Sequence, residues 1–235
     1  MKTDQYFDLR SSRWSDQYVQ DVRFRRRFER IAELLTRTLP TSPTSVLDAG
    51  CGSGVFSRFL STKGWNVTAI DASVEMIESA RGNSQGSERI NYEVSAIESF
   101  KAEAGSFDAI VSFSLLEYVE RDDDAIAKLA GLLSSDGVLV VSVPNRSGLI
   151  RKLEGLLFGI RVASRDRLFS GRGEYLKYQK NQYSPFELDL MMRAQGLKKM
   201  RGIYLNSGLA GPSWVFPILE RRWWAAMYCA AYRRS

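Results

Sequence analysis

Apolar residues in this chain alternate between short continuous runs and spacings of three and four, the rhythm of doubly buried strands separated by amphipathic helices. Residues 12–38 carry Trp14, Tyr18, Val22, Phe28, Ile31, Leu34 and Leu35 among many charges, which predicts a leading helix or helix pair ended by Pro40 and Pro43. Runs at Ser45–Ala49, Asn66–Ile70, Ile90–Val94, Phe107–Phe113 and Val138–Val143 predict strands. Between them, residues 53–63, Val74–Arg81 and Ile126–Leu133 read as helices, with Ser73 placed to cap the second and Gly82–Ser87 forming a turn cluster. Ser184-Pro185-Phe186-Glu187 starts a helix that runs to Gly196, with a capping hydroxyl and proline at the first position. Leu197–Leu205 and Trp224–Tyr232 supply two last strands. Such alternation predicts an α/β fold with a mostly parallel sheet covered on both faces and ligands at the carboxyl ends of its strands.

The first strand breaks into Asp48-Ala49-Gly50-Cys51-Gly52-Ser53-Gly54, with glycines at alternate positions, which implies a sharp turn that lets a ligand approach bare backbone. The second strand ends on Asp71, whose carboxylate can accept both ribose hydroxyls of an adenosine. Asp48 ahead of the glycines would repel a pyrophosphate seated on the following helix, and G-x-G-x-G is not the dinucleotide spacing G-x-G-x-x-G. These residues resemble the nucleoside half of the class I S-adenosylmethionine methyltransferases; a structural turn or a site for another nucleotide is the alternative. The resemblance runs from about Tyr6 to Arg233 and is strongest between Val46 and Val143. It implies a Rossmann-like, seven-stranded, mostly parallel sheet with helices on both faces, an antiparallel last strand that brings Cys229 into the sheet, and a cap inserted after the fifth strand. The chain then divides into an N-terminal helical lid at 1–44, an S-adenosylmethionine-binding core at 45–145, a basic amphipathic substrate cap at 146–183 and a C-terminal completion of the sheet at 184–235.

Carried over residue by residue, the resemblance assigns Asp48, Ala49, Gly50, Cys51, Gly52 and Gly54 to the cofactor loop, with Asp48 at the methionine end. Asp71 becomes the ribose acid, Ala72, Ser73 and Met76 lie beside the adenine, and Phe113 and Ser114 reach the cofactor from the fourth strand. Many relatives place an aspartate after the third strand, where this chain reads Ser95-Ala96-Ile97-Glu98. A backbone contact near Ala96 or Ile97, with Glu98 close by, is the expected substitute, as in ubiquinone-type O-methyltransferases; a plain loop is the alternative.

Composition narrows the chemistry. With 235 residues, 44% hydrophobic and 26% charged, the chain suits one globular domain, and no apolar stretch reaches the roughly 18 residues of a membrane span. Met1-Lys2-Thr3-Asp4-Gln5 lacks the apolar core of a signal peptide, so a cytoplasmic enzyme is expected. There is no histidine, which excludes imidazole bases, Ser-His or Cys-His nucleophiles and imidazole-ligated metals, and the two cysteines have no metal-ligand spacing. No bound metal is expected.

The segment Ser112-Phe113-Ser114-Leu115-Leu116-Glu117-Tyr118-Val119 lies where the fourth strand meets the reacting methyl group. It lacks the Asn/Asp-Pro-Pro-aromatic element of nucleobase amino-methyltransferases, and no cysteine follows a proline as in cytosine carbon-methylating enzymes. The common small-molecule pattern here is Leu-Glu-His-Val, with Tyr118 in place of the histidine. Arg13-Trp14-Ser15-Asp16-Gln17-Tyr18 and the Glu117 neighbourhood look more loosely like magnesium-protoporphyrin O-methyltransferases. That likeness carries a catalytic role to Tyr18 but meets Glu117 at the histidine position. Tyr18 and Trp14 serve equally well as core packing or as a lid over the cofactor. Glu117, Tyr118 and Tyr18 are therefore the catalytic candidates, and Tyr118 and Tyr183 the substrate contacts. Glu117, Tyr118, Tyr183 or water could serve as base for a phenol or sugar hydroxyl, whereas a carboxylate acceptor needs none.

The excess of positive charge, +6 overall, sits largely between Arg146 and Gln182. There, Ser147–Arg161 interleaves apolar and basic residues at helical spacing. It reads as a packed cap helix, as a membrane-surface helix of the kind ubiquinone-type enzymes insert here, or as a basic lining for an anionic acceptor. Nucleic acid is disfavoured, because no binding module accompanies the basic residues. The reading is S-adenosylmethionine-dependent methylation of a small molecule, anionic or lipophilic, most simply on oxygen of a natural-product, quinone-like or sugar intermediate. N- or C-methylation, porphyrin carboxyl methylation and a non-catalytic cofactor-binding subunit are the rivals, and oligomeric state is left open.

Overall fold

The computed structural model of the protein describes residues 3–8, 17–18, 20–41, 45–164, 174–206 and 215–234. Arg13, Trp14, Ser15 and Asp16 lie outside the described residues.

Helix α1 (Thr3–Asp8) is followed by α2 (Val22–Thr38), β1 (Ser45–Ala49), α3 (Val55–Thr62), β2 (Asn66–Asp71), α4 (Val74–Gly82), β3 (Ile90–Val94) and β4 (Phe107–Phe113). Then come α5 (Asp122–Leu132), β5 (Leu133–Pro144), α6 (Leu149–Ser164), a 3₁₀ turn (Glu174–Lys177), α7 (Pro185–Ala194), β6 (Leu197–Leu205), α8 (Phe216–Leu219) and β7 (Met227–Arg234). The sheet has seven strands in the order β3-β2-β1-β4-β5-β7-β6. The first five are parallel, and β7 runs antiparallel to both β5 and β6, pairing Cys229 with Ser142 and Ile203. Strand order reverses beside β1, between β2 and β4, and that reversal opens the crevice in which such sheets bind ligands.

Alternation along the strands builds two apolar layers. Val46, Val111, Val140 and Cys229 face Ile31, Leu34 and Leu35 of α2, Phe56 and Leu60 of α3 and Ile77 of α4. Leu47, Ile110, Leu139 and Val141 face Ile126 and Leu129 of α5 and Leu188 and Met192 of α7. Asp21 caps α2 by accepting from Arg23 N–H at 2.8 Å, and its buried stripe is Arg27, Ile31, Leu34, Leu35 and Thr38. So α2 belongs to the core rather than to a separate lid.

Helix α5 begins at Asp122 rather than Ile126, and two strands and one short helix depart further from the sequence reading. Strand β5 begins at Leu133 rather than Val138, because Phe107 pairs with Leu133 and Ala109 with Val138 across a bulge. A Cβ on Gly137 would stand 2.9 Å from Leu133 Cδ2, so the bend needs glycine. Strand β7 begins at Met227 rather than Trp224, because the backbone of 223–226 serves other partners: the carbonyls of Trp223 and Ala226 accept from Leu149 and Asn145 N–H, each at 2.8 Å. Helix α1 had no periodicity to betray it at six residues; Tyr6 holds it, 3% exposed and stacked on Tyr178 at 4.4 Å.

Candidate active site

The loop after β1 is shaped by its glycines. Gly50, Gly52 and Gly54 have φ of 76°, 52° and 75°, the left-handed region in which a side chain is strained. A Cβ on Gly54 would also lie 2.3 Å from Tyr92 Oη, and one on Gly50 would press Leu115 at 3.2 Å. Gly50 and Cys51 N–H donate to Ile70 O at 2.8 and 2.9 Å, which ties the loop to the end of β2.

Asp71 stands at that end. Its Oδ2 accepts from Gly52 N–H at 2.8 Å and its Oδ1 from Ser73 N–H at 2.9 Å, so the carboxylate is oriented by two amides and keeps lone pairs for a ligand. Burial raises its pKa, opposed by those amide bonds. Asp48 is 2% exposed, its Oδ2 accepting from Ser57 Oγ at 2.6 Å. Burial pushes the Asp48 pKa up to about 7, with Ser57 pulling it down and the Asp71 charge adding to the rise. A cation placed between these acids would be stabilised by both.

Ser73 caps α4 through Met76 N–H at 3.0 Å and donates its hydroxyl to Asp8 Oδ1 of α1 at 2.6 Å. Met76 is buried beneath this corner, and Ala72 lies between the two fixed residues. Residues 95–98 lead into a hydrogen-bonded turn. Ser95 N–H donates to Asp71 O at 2.9 Å, and Ala96 O accepts from Phe100 N–H at 2.9 Å. Ile97 packs in the core beside Ile70, and Glu98 is exposed.

At the end of β4, Phe113 packs on Phe56 with ring centroids 4.4 Å apart. Ser114 follows with φ of 59°, the only non-glycine positive φ among the described residues. Such strain marks a position held by its surroundings. Its N–H donates to Ser142 O at 3.1 Å and its Oγ accepts from Arg27 Nη2 at 2.9 Å. Glu117 is 2% exposed, and its Oε2 has no hydrogen-bond partner. Burial pushes its pKa up to about 7, opposed by its own backbone N–H, the charges of Arg27 and Arg151, and the Ser114 hydroxyl. Tyr118 is half-buried and meets Phe7 of α1 edge to face at 5.1 Å. Tyr18 is half-buried against Phe24 and Phe56, at 5.2 and 6.2 Å, and feels the charges of both Arg27 and Asp48. It packs against the core. Tyr183 is buried, and its hydroxyl lies 3.1 Å from Leu116 O and 2.8 Å from Asp122 Oδ2, sharing its one proton between them and tying it to the loop. Burial and the hydrogen bond to Asp122 raise its pKa.

Arg27 is the residue the sequence reading missed. It is 7% exposed, its hydrogen bonds go to the hydroxyls of Ser114 and Ser142, and its Nε is buried without a partner. A buried guanidinium with no carboxylate in direct ion-pair contact, and only the Glu117 carboxyl nearby, can accommodate a further anion. The available signal was its place in the stripe shared with Ile31 and Leu34, hidden among the neighbouring arginines Arg25 and Arg26. Together, glycine backbone, a ribose-type acid and oppositely charged buried groups fit a zwitterionic nucleoside such as S-adenosylmethionine. Among the described residues no cluster of histidine, cysteine and carboxylate side chains could hold a metal.

Sheet order, glycine loop and paired acids thus define a Rossmann-like nucleoside-binding transferase. A family model described as "Methyltransferase domain" matches residues 23–200, and the chain belongs to that family. It is an S-adenosylmethionine-dependent methyltransferase of a small molecule. It is 31% identical over 168 residues to the ubiquinone biosynthesis O-methyltransferase of Xanthomonas axonopodis pv. citri, covering 71% of this chain and 67% of that one. The corresponding protein of Xylella fastidiosa is 37% identical over 117 residues, about half of each chain. Among solved structures, magnesium protoporphyrin IX methyltransferase from Synechocystis PCC 6803 with bound SAH superposes with a TM-score of 0.73 at 18% identity, over 99% of this chain and 98% of that one. At that identity the likeness concerns the fold.

Proposed function

We propose that the protein methylates a hydroxyl oxygen of a small ring-bearing acceptor, with Glu117 taking the proton. The observation that carries this reading is a buried carboxyl whose free oxygen lies on the loop delivered by β4, with a pKa pushed up to about 7. Asp71 would hold the ribose hydroxyls, Asp48 the ammonium and Arg27 the carboxylate of the cofactor's methionine end. Bound, the cofactor supplies a methyl group on a positively charged sulfur. The chain's own work is then to align the acceptor oxygen, exclude water and accept one proton at Glu117 Oε2. The names of the ubiquinone O-methyltransferase relatives support oxygen as the acceptor atom, and the aromatic cluster of Phe7, Tyr118, Tyr6 and Tyr178 suits a flat ring.

A lipophilic acceptor is favoured by the outer face of α6. Leu149, Leu153 and Leu156 are exposed at helical spacing, and Trp223 beside them is 71% exposed. Lys152, Arg221 and Arg222 are exposed nearby, a combination suited to an anionic lipid surface.

The test is turnover of labelled S-adenosylmethionine with phenols and catechols against amines and carboxylic acids, for wild type and Glu117→Gln. The reading expects O-methyl ethers from wild type and a loss of about 10²–10⁴-fold in kcat for the variant, the usual worth of a general base. Methyl esters formed equally well by both would identify a carboxylate acceptor instead. No product from any class would favour a cofactor-binding subunit.

A further inference from the structure

The loop that bears Glu117 has no strand or helix to satisfy its backbone. Leu116, Glu117 and Val119 are all 5% exposed or less, so their carbonyls cannot turn to water. A segment more than sixty residues downstream satisfies them. Asn181 spends both protons of its side-chain amide on the carbonyls flanking Glu117, to Leu116 O at 3.0 Å and Val119 O at 2.9 Å. Glu117 O accepts from Lys180 N–H at 2.8 Å and Asn181 N–H at 3.3 Å. The strap is anchored in turn, since Arg146 N–H donates to Tyr183 O at 2.8 Å beside the end of β5.

We infer that Asn181 is the positioning residue for Glu117: by bridging residues 116 and 119 it fixes the backbone from which the carboxyl projects toward the acceptor. The inference rests on the reading of Glu117 as proton acceptor. Tyr183 and Lys180 also reach Leu116 O and Glu117 O, whereas Val119 O is met by Asn181, so the Asn181 side chain both satisfies this loop and ties its two ends together. Its neighbours carry the strap to the other walls of the site. Gln179 Oε1 accepts from Arg151 Nη2 of α6, and Tyr178 stacks on Tyr6 of α1. The groups that act on Glu117 are thus Arg27 from α2, Arg151 from α6, the Ser114 hydroxyl after β4 and, through its phenol, Tyr183.

Asn181→Ala, Asn181→Ser, Glu117→Gln and the Asn181→Ala/Glu117→Gln double variant test it, each read by kcat against pH, S-adenosylhomocysteine affinity and melting temperature. Asn181→Ala is expected to lower kcat by about 10²-fold, the scale of a misplaced reacting group, with cofactor affinity within a few fold. Its low-pH limb should move to lower pH, because a loosened Glu117 regains solvent and loses the rise that burial imposes. Asn181→Ser, with one donor left, should fall between, and it is the variant to read if Asn181→Ala does not fold. In the Glu117→Gln background the alanine should cost less than about threefold, since residues acting as a unit are not additive. A loss of equal size in both backgrounds, or an unmoved pH profile, would overturn the proposal while leaving Glu117 its role. Wild-type rates for Glu117→Gln would remove that role and the proposal with it.

Discussion

A carboxyl taken out of water keeps its proton unless something nearby favours the charge, and Asp48 and Glu117 are both in that position, each pushed up to about 7. For an acid whose folded pKa is raised, the folded state binds the proton more tightly than the unfolded one. The stability this contributes is complete below the unfolded pKa near 4 and is lost as pH rises through about 7. The cofactor-free protein should therefore melt several degrees lower at pH 8 than at pH 6, and Asp48→Asn should flatten that slope in a calorimetric scan. Ligand binding should run the other way. An ammonium beside Asp48 favours the ionised carboxyl, so S-adenosylhomocysteine affinity should strengthen between pH 6 and 8, and titration calorimetry should show Asp48→Asn losing that trend. Asp71→Ala removes a charged acceptor worth about 1.5–3 kcal/mol, so its affinity should drop by more than tenfold in a variant that still folds. Arg27 and Asn181 show why residues like these hide in a sequence. An arginine among arginines and an asparagine in an irregular stretch acquire meaning only from what they face.

Elements were legible wherever local signals agreed. Ser184 accepts from Glu187 N–H while the Glu187 side chain accepts from Ser184 N–H, the reciprocal cap that Ser-Pro-Phe-Glu announces. Ser184→Ala should cost about 1 kcal/mol, lowering the melting temperature by roughly 2–4 °C without touching cofactor affinity. Strands β1, β3, β4 and β6 have the ends their apolar runs foretell. Boundaries failed where partners rather than propensity decide. The bulge that extends β5 back to Leu133 exists because Phe107 is there to pair, and Trp224–Ala226 stay out of β7 because their backbone belongs to Asn145 and the start of α6.

At the scale of the molecule, the site gathers residues from Asp8 to Tyr183. Only β1, β2 and β4, adjacent in the sheet, contribute parts that sequence proximity or a known pattern could reveal. Among the described residues no helix is long and apolar enough to cross a membrane. Contact with a lipid surface would instead use the exposed leucines of α6 with Trp223. Wild type should then co-sediment with anionic vesicles at low ionic strength and be released as salt screens the charges, while Leu153→Asp/Leu156→Asp should stay in the supernatant with unchanged cofactor affinity. Retention of that variant on vesicles would discard this face as the contact.

The chain by itself determined the parallel sheet, the glycine loop and the ribose acid, because alternation, left-handed turns and a strand-ending carboxylate are local properties written in consecutive residues. Tertiary structure decided which polar groups act. Burial raises the pKa of Asp48 and Glu117, the approach of α2 sets Arg27 against Ser114 and Ser142, and the strap from Lys180 to Tyr183 holds the loop that bears Glu117. Charge, solvent exposure and hydrogen-bond partners depend on distances through space, and no spacing along the chain encodes them.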